Sequence, residues 1–241
     1  MSERRYNDAM SQGSLFSTDH HEPIETQLHR RKFRFVAGAD EAGCGCLAGP
    51  VVAAAVILRN LRDEFVASIN DSKQLRPTVR EELEAKIRAR ALAVGVGVIG
   101  NEEIDQINIL QARLKAMRMA VEALQETPDF IVVDGTFVIP LVPIPQRSLV
   151  QGDARCKSVG AASIVAKVYR DRLMAQWHET YPQYNFLANK GYGTADHWEA
   201  LRKHGPCPLH RMSFHGVGAG DTHALAQLEL RGANDEEFVP E

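Results

Sequence analysis

The 241-residue chain has only four cysteines, Cys44, Cys46, Cys156 and Cys207, and no two form a C-x-x-C pair, which argues against a zinc knuckle. No apolar run reaches the roughly 18 residues that a membrane helix needs. The longest, Leu47 to Leu58, is broken by Gly49 and Pro50 and suits a buried strand. The opening residues, MSERRYNDAMSQGS, lack the charged-then-apolar order of a secretory signal, so a cytoplasmic protein with reduced thiols is expected. A strong charge of either sign is missing too: 28 Lys and Arg stand against 31 Asp and Glu. The ends conceal a different middle. Residues 1–30 and 221–241 together hold 4 basic and 11 acidic side chains, which leaves 24 and 20 for the body. A mildly basic body permits a polyanionic partner.

What is present is ordinary globular material, 44% hydrophobic and 24% charged, long enough to bury well over half of its unfolded surface. Residues 1–31 and 232–241 show no helical or strand period and are expected to be tails, the first disordered and the second acidic. Between them strands alternate with helices. Strands are expected at Phe33 to Asp40, Val51 to Leu58, Leu92 to Ile99, Phe130 to Val133 and Pro145 to Val150. The spacing of Val79, Leu83, Ile87 and Ala91 predicts one helix, and that of Leu110, Leu114, Met117, Val121 and Leu124 a second. A long helix is expected from Cys156 to His178, with Ala161, Ala162, Ser163 and Ala166 allowing close approach to a sheet. From Thr194 the pattern turns helical, basic and His-rich. A layered α/β domain over 32–193 with a helical region over 194–231 follows.

The chemistry concentrates in acids at strand ends. Asp40 and Glu41 close the first strand, directly before a glycine-dense turn, Gly43-Cys44-Gly45. Neighbours on a regular strand face opposite sides, so a distortion is expected if both serve one site. The glycines also let backbone N–H groups approach an anion. A dinucleotide fingerprint does not fit, because a strand rather than a helix follows Gly49. Asp134 ends another apolar strand, and Asp153 stands just before the long helix, where capping is an alternative use for it. Acids without nearby His or Cys select Mg²⁺ or Mn²⁺, and paired ions are a standard device for phosphodiester hydrolysis. Residues 147–211 hold ten Lys or Arg against five acids, Arg170 and Arg211 among them. Tyr192, between Gly191 and Gly193, is placed to stack on a base or sugar.

Several motifs in order resemble the type 2 ribonucleases H, the ribonuclease HII family. They are Gly38-x-Asp40-Glu41-Ala42-Gly43, Leu47-Ala48-Gly49-Pro50-Val51, Asp71-Ser72-Lys73-x-Leu75, Val133-Asp134-Gly135, Gly152-Asp153-Ala154 leading to Ala161-Ala162-Ser163, Lys190-Gly191-Tyr192-Gly193-Thr194, and His210-Arg211-x-Ser213-Phe214. The resemblance implies an α/β, RNase H-like fold: a mixed five-stranded sheet with helices on both faces, plus a small C-terminal helical region. It implies an endonuclease acting on the RNA strand of RNA–DNA hybrids and at ribonucleotides embedded in duplex DNA, leaving 5′-phosphate and 3′-hydroxyl ends. Asp40, Glu41, Asp134 and Asp153 would be the catalytic residues and ligands of two Mn²⁺ or Mg²⁺ ions. Gly43, Cys44, Gly45, Lys73 and Tyr192 would contact substrate, in a monomer with no membrane attachment. Cys44 departs from the family turn, which carries Arg or Lys there. The rivals are another nuclease on the same fold and a hybrid-binding protein with weakened catalysis.

Overall fold

Val51–Ile57 (β2) is apolar at every position and buried along its whole length, as an interior strand covered on both faces must be. In the computed structural model, which describes residues 23–69 and 75–218, it lies between two antiparallel partners, Val36–Ala42 (β1) and Ala93–Ile99 (β3). The other edge of β1 pairs in parallel with Phe130–Asp134 (β4), which pairs in parallel with Gln146–Leu149 (β5). The order is β3-β2-β1-β4-β5, so the strand with the paired acids is central. This is the mixed five-stranded sheet that the motifs imply.

Helices cover both faces. Glu64–Ala67 (α2) and Pro77–Arg90 (α3) follow β2, and Asn101–Glu122 (α4) follows β3. Ala112, Ala116, Met117 and Ala120 of α4 seal one face against Ala37, Ala39, Ala53, Ile131 and Val133. Gly152–Arg155 (α5) leads into Lys157–Thr180 (α6), whose Ala161, Ala162, Val165 and Ala166 close the other face with α3 against Val52, Ala54 and Val56. The approach is close because Gly38 has no side chain: a Cβ there would strike the backbone of Ser158 and Val159. Beyond α6 come a short turn of helix at Phe186–Asn189 (α7) and the amphipathic Ala195–His204 (α8). They share a small core of Leu47, Met174, Tyr184, Phe186 and Leu201. Among the described residues no helix is long and apolar enough to cross a membrane.

Two expectations need correction. The N-terminal tail does not extend to residue 31, because Ile24–Arg30 (α1) is a helix. Ile24 and Leu28 are buried with Phe33, Phe130 and Val159, and the buried Glu25 carboxylate accepts from the N–H of Ser158 at 2.6 Å, in the first turn of α6. The α4 helix also starts earlier than its apolar spacing indicates, at Asn101, and is interrupted at Asn108 (φ 65°, ψ 163°). Lys73 and the acidic tail 232–241 lie outside the described residues.

Candidate active site

The register of β1 and β4 decides where the acids meet. Their last pair is Ala39 with Val133, so one step further Asp40 and Asp134 leave adjacent parallel strands on the same face. Asp134 Oδ1 accepts from the N–H of Gly152 at 2.8 Å, which fastens the end of β4 to the turn carrying Asp153. Asp40, Glu41, Asp134 and Asp153 thereby line one cleft of about 290 Å³, together with Gly43, Cys44, Gly45, Ser163, Lys167 and Tyr192. The cleft has room for ions, water and a phosphate.

The expected strand distortion is absent. β1 stays in register through Ala42, with Asp40 opposite Ala54 and Glu41 opposite Ala53. The two acids therefore point to opposite faces, Asp40 toward Ser163 on α6 and Glu41 toward Arg113 on α4. Both reach the cleft because β1 outruns β4, leaving its edge bare beyond Ala39. Regular alternation and a split in the sheet suffice.

The electrostatics are those of a crowded acidic site. Burial first, then repulsion from Glu41 and Asp134, holds the Asp40 carboxyl well above its ordinary range. Burial also raises Glu41, against the pull of Arg113, whose Nη1 lies 3.2 Å from Oε1. Oε2 of Glu41 is buried without a hydrogen-bond partner. Among the described residues no three acid, His or Cys side chains are drawn together tightly enough to enclose an ion, and Glu41 and Asp134 have protein partners of their own. The donor set nonetheless fits a hard divalent cation: all oxygen, mutually repelling, with one buried acceptor unsatisfied.

The Gly43–Gly45 turn borders these acids. Gly43 (φ +97°) lies against the Arg170 side chain, where any Cβ would collide, whereas a Cβ on Gly45 would meet nothing within 4 Å. The Cys44 thiol donates to Glu41 Oε1 at 3.4 Å. Burial and the Glu41 charge push it up to about 12, so this is a protonated, half-buried thiol.

A family model described as ribonuclease HII matches residues 37–217, which contain every element of this cleft. The chain belongs to the ribonuclease HII family. It is a ribonuclease H endonuclease. Similar proteins include ribonuclease HII of Caldanaerobacter subterraneus subsp. tengcongensis, 50% identical over 79% of this chain and 78% of that one. Ribonuclease HII of Geobacter sulfurreducens is 50% identical over 82% and 92%. Among solved structures, ribonuclease H2 of Pyrococcus horikoshii superposes with a TM-score of 0.64 at 27% identity, covering 82% of this chain and 98% of that one. The ribonuclease HII of Archaeoglobus fulgidus, solved in complex with PCNA, gives 0.65 at 26% identity over 75% and 95%.

Within this ribonuclease HII fold, two residues that resemble surface cations in the sequence are fully buried. Arg170 donates to the carbonyls of Pro50, Ala48 and Lys190 at 2.9, 3.0 and 2.7 Å. Arg211 donates to those of Gly49, Cys44 and Gly43 at 3.0, 2.9 and 2.7 Å. Each guanidinium satisfies three carbonyls of irregular chain that no strand or helix pairs. The backbone of Tyr192 is held in a similar way. Its carbonyl accepts from His197 Nδ1 at 2.8 Å, which leaves His197 Nε2 to accept from His210 Nε2 at 3.0 Å. His210 Nδ1 in turn accepts from the Cys207 N–H at 2.9 Å. Burial lowers both imidazoles, His210 to about 4, so the relay is neutral. The Cys-x-x-His spacing from Cys207 to His210 gives no local hint of it, since the two imidazoles are thirteen residues apart.

Proposed function

We propose that this ribonuclease cuts the RNA strand of RNA–DNA hybrids and cuts at ribonucleotides embedded in duplex DNA, leaving 5′-phosphate and 3′-hydroxyl ends. The observation that carries the reading is the convergence of Asp40, Glu41, Asp134 and Asp153 on one open cleft, rimmed by a glycine turn and an exposed tyrosine. The four carboxylates would hold two Mg²⁺ or Mn²⁺ ions. Such ions, when bound, stabilise charge on the attacking and leaving oxygens of a phosphodiester. The chain supplies the rest. Burial, then repulsion from Glu41 and Asp134, disfavours the charged form of Asp40 without cations, a cost that a bound cation relieves. The Gly45 position leaves the turn open to a close-lying phosphate, while Arg211 fixes that turn from behind. Lys73 is proposed as a further substrate contact, and the chain as a cytoplasmic monomer.

The deciding experiment is cleavage of a duplex carrying one ribonucleotide, with Mg²⁺, with Mn²⁺ and with chelator. A single cut beside the ribonucleotide that requires either metal is the expected result. Equal cutting of an all-deoxy duplex sinks the substrate assignment, and undiminished cutting in chelator sinks the metal one.

Tyr192 is proposed to pack on the nucleotide beside the scissile phosphate. The residue is 41% exposed, with Lys167 Nζ 5.7 Å from the ring centroid, while its hydroxyl is turned inward to Cys46. The ring, rather than the hydroxyl, is therefore the group on offer. Stacking contributes ~1–3 kcal/mol per base, so Tyr192→Ala is expected to lower kcat/KM about ten- to a hundredfold. Tyr192→Phe is expected to stay close to the parent. A phenylalanine variant as poor as the alanine one assigns the contact to the hydroxyl instead.

A further inference from the structure

Residues 135–145 leave the sheet as an almost wholly apolar loop, Gly-Thr-Phe-Val-Ile-Pro-Leu-Val-Pro-Ile-Pro. Phe137 is 47% and Leu141 82% exposed, whereas Ile139 is sealed into the core. A connection between two strands needs no aromatic ring in water, and surface loops commonly carry function. The loop is also stiff. The Gln146 side chain accepts from the Ile139 N–H and donates to the Ile139 carbonyl, both at 2.7 Å, and three prolines fix the backbone nearby. Phe137 is thus held outward by an anchored neighbour.

Its position is beside the carboxylates. Asp134 is three residues earlier, and the Arg113 guanidinium lies 5.9 Å from the Phe137 ring centroid while its Nη1 touches Glu41. Arg113 Nε has no hydrogen-bond partner. On the Asp40 side of the cleft Tyr192 repeats the arrangement, an exposed ring with Lys167 and Arg170 under 6 Å from its centroid. Two exposed rings, each next to a cation, thus stand near one acidic cleft: Tyr192 in its lining, and Phe137 one guanidinium away from Glu41.

We infer that Phe137 is a second nucleotide platform, taking a base or sugar on the Glu41 side of the scissile phosphate, with Arg113 placing positive charge where the backbone passes. This rests on the duplex-cleaving reading of the cleft. An aromatic face accepts any base, and an adjacent cation favours a polyanion over a neutral partner.

The experiment uses Asp134→Asn protein, bound in Mg²⁺ to a ribonucleotide-containing duplex with 2-aminopurine on one side of the junction or the other. Adding Phe137→Ala is expected to weaken binding about tenfold or more and to abolish quenching on one side only. Adding Tyr192→Ala is expected to abolish it on the other side. Phe137→Trp should keep both affinity and quenching, and Phe137→Leu, which preserves the loop's apolar surface, should fall between. The melting temperature should move little with the Phe137 variants, because that ring is not part of the core. Unchanged affinity and quenching in Phe137→Ala overturn the platform and assign the loop to some other partner. Failure of the Asp134→Asn protein itself to bind the duplex removes the substrate reading and the platform with it.

Discussion

Asp134→Asn is expected to abolish turnover while the protein remains fully folded. Asp134 ends β4 next to Asp40, and one of its oxygens accepts from the Gly152 N–H. The asparagine carbonyl can keep that bond, so the turn carrying Asp153 stays in place. What disappears is one negative charge from a site whose task, in the reading above, is to hold cations. The loss of turnover should be about a thousandfold or more, the scale on which removal of one member of a catalytic unit acts. Retention of a tenth of the parent rate removes Asp134 from the catalytic set. Stability provides a second readout, taken in chelator. Burial, then repulsion from Glu41 and Asp134, raises Asp40 above its value in the unfolded chain. The folded state therefore binds that proton more tightly and gains stability as pH falls through the raised value. With residue 134 neutral, Asp40 moves back toward its ordinary range. The variant should be at least as stable as the parent at neutral pH and gain less on acidification.

The parts of this architecture that were legible in the sequence are those written locally. An apolar run ending in an acid marks both β1 and β4, and the helix seams follow from spacing over three or more turns. Only the family resemblance joins Asp40, Glu41, Asp134 and Asp153, which spacing alone leaves apart. The illegible parts depend on distant partners. Helix α1 has seven residues, too few to display a period, and its buried Glu25 answers a backbone group 133 positions away. Arg170 and Arg211 look like their solvated neighbours because the carbonyls they satisfy belong to turns at residues 43–50 and 190. The kink expected at Asp40–Glu41 follows from strand alternation alone, which is silent on β4 ceasing to pair with β1 after Ala39. Strand ends do not announce which neighbour stops first.

Arg211→Met carries the largest expected cost to the fold. The side chain is completely buried, and its three donors go to Gly49, Cys44 and Gly43. Methionine preserves much of the apolar stem but leaves three carbonyls without that partner. The Gly43 carbonyl still accepts from the Cys46 N–H at 3.4 Å, and each carbonyl left buried and unpaired costs about 1–3 kcal/mol, so a loss of about 3–5 kcal/mol is expected. For a domain of this size that is a fall of about 6–20 °C in Tm. Arg211→Lys separates charge from geometry. Burial lowers Arg211 to about 10, still cationic at neutral pH, and a lysine at this position would also bring a positive charge behind the acidic cleft. A point charge on a flexible stem cannot reproduce a planar fork aimed at three carbonyls. The lysine variant should therefore resemble methionine in stability, and both should raise KM for the nucleic acid as the Gly43–Gly45 turn loosens. If lysine restores the parent Tm and KM, the residue acts through its charge. The turn is then shaped by Gly43 and Arg170 alone, whose contacts at Pro50 and Ala48 lie on the other side of the same segment.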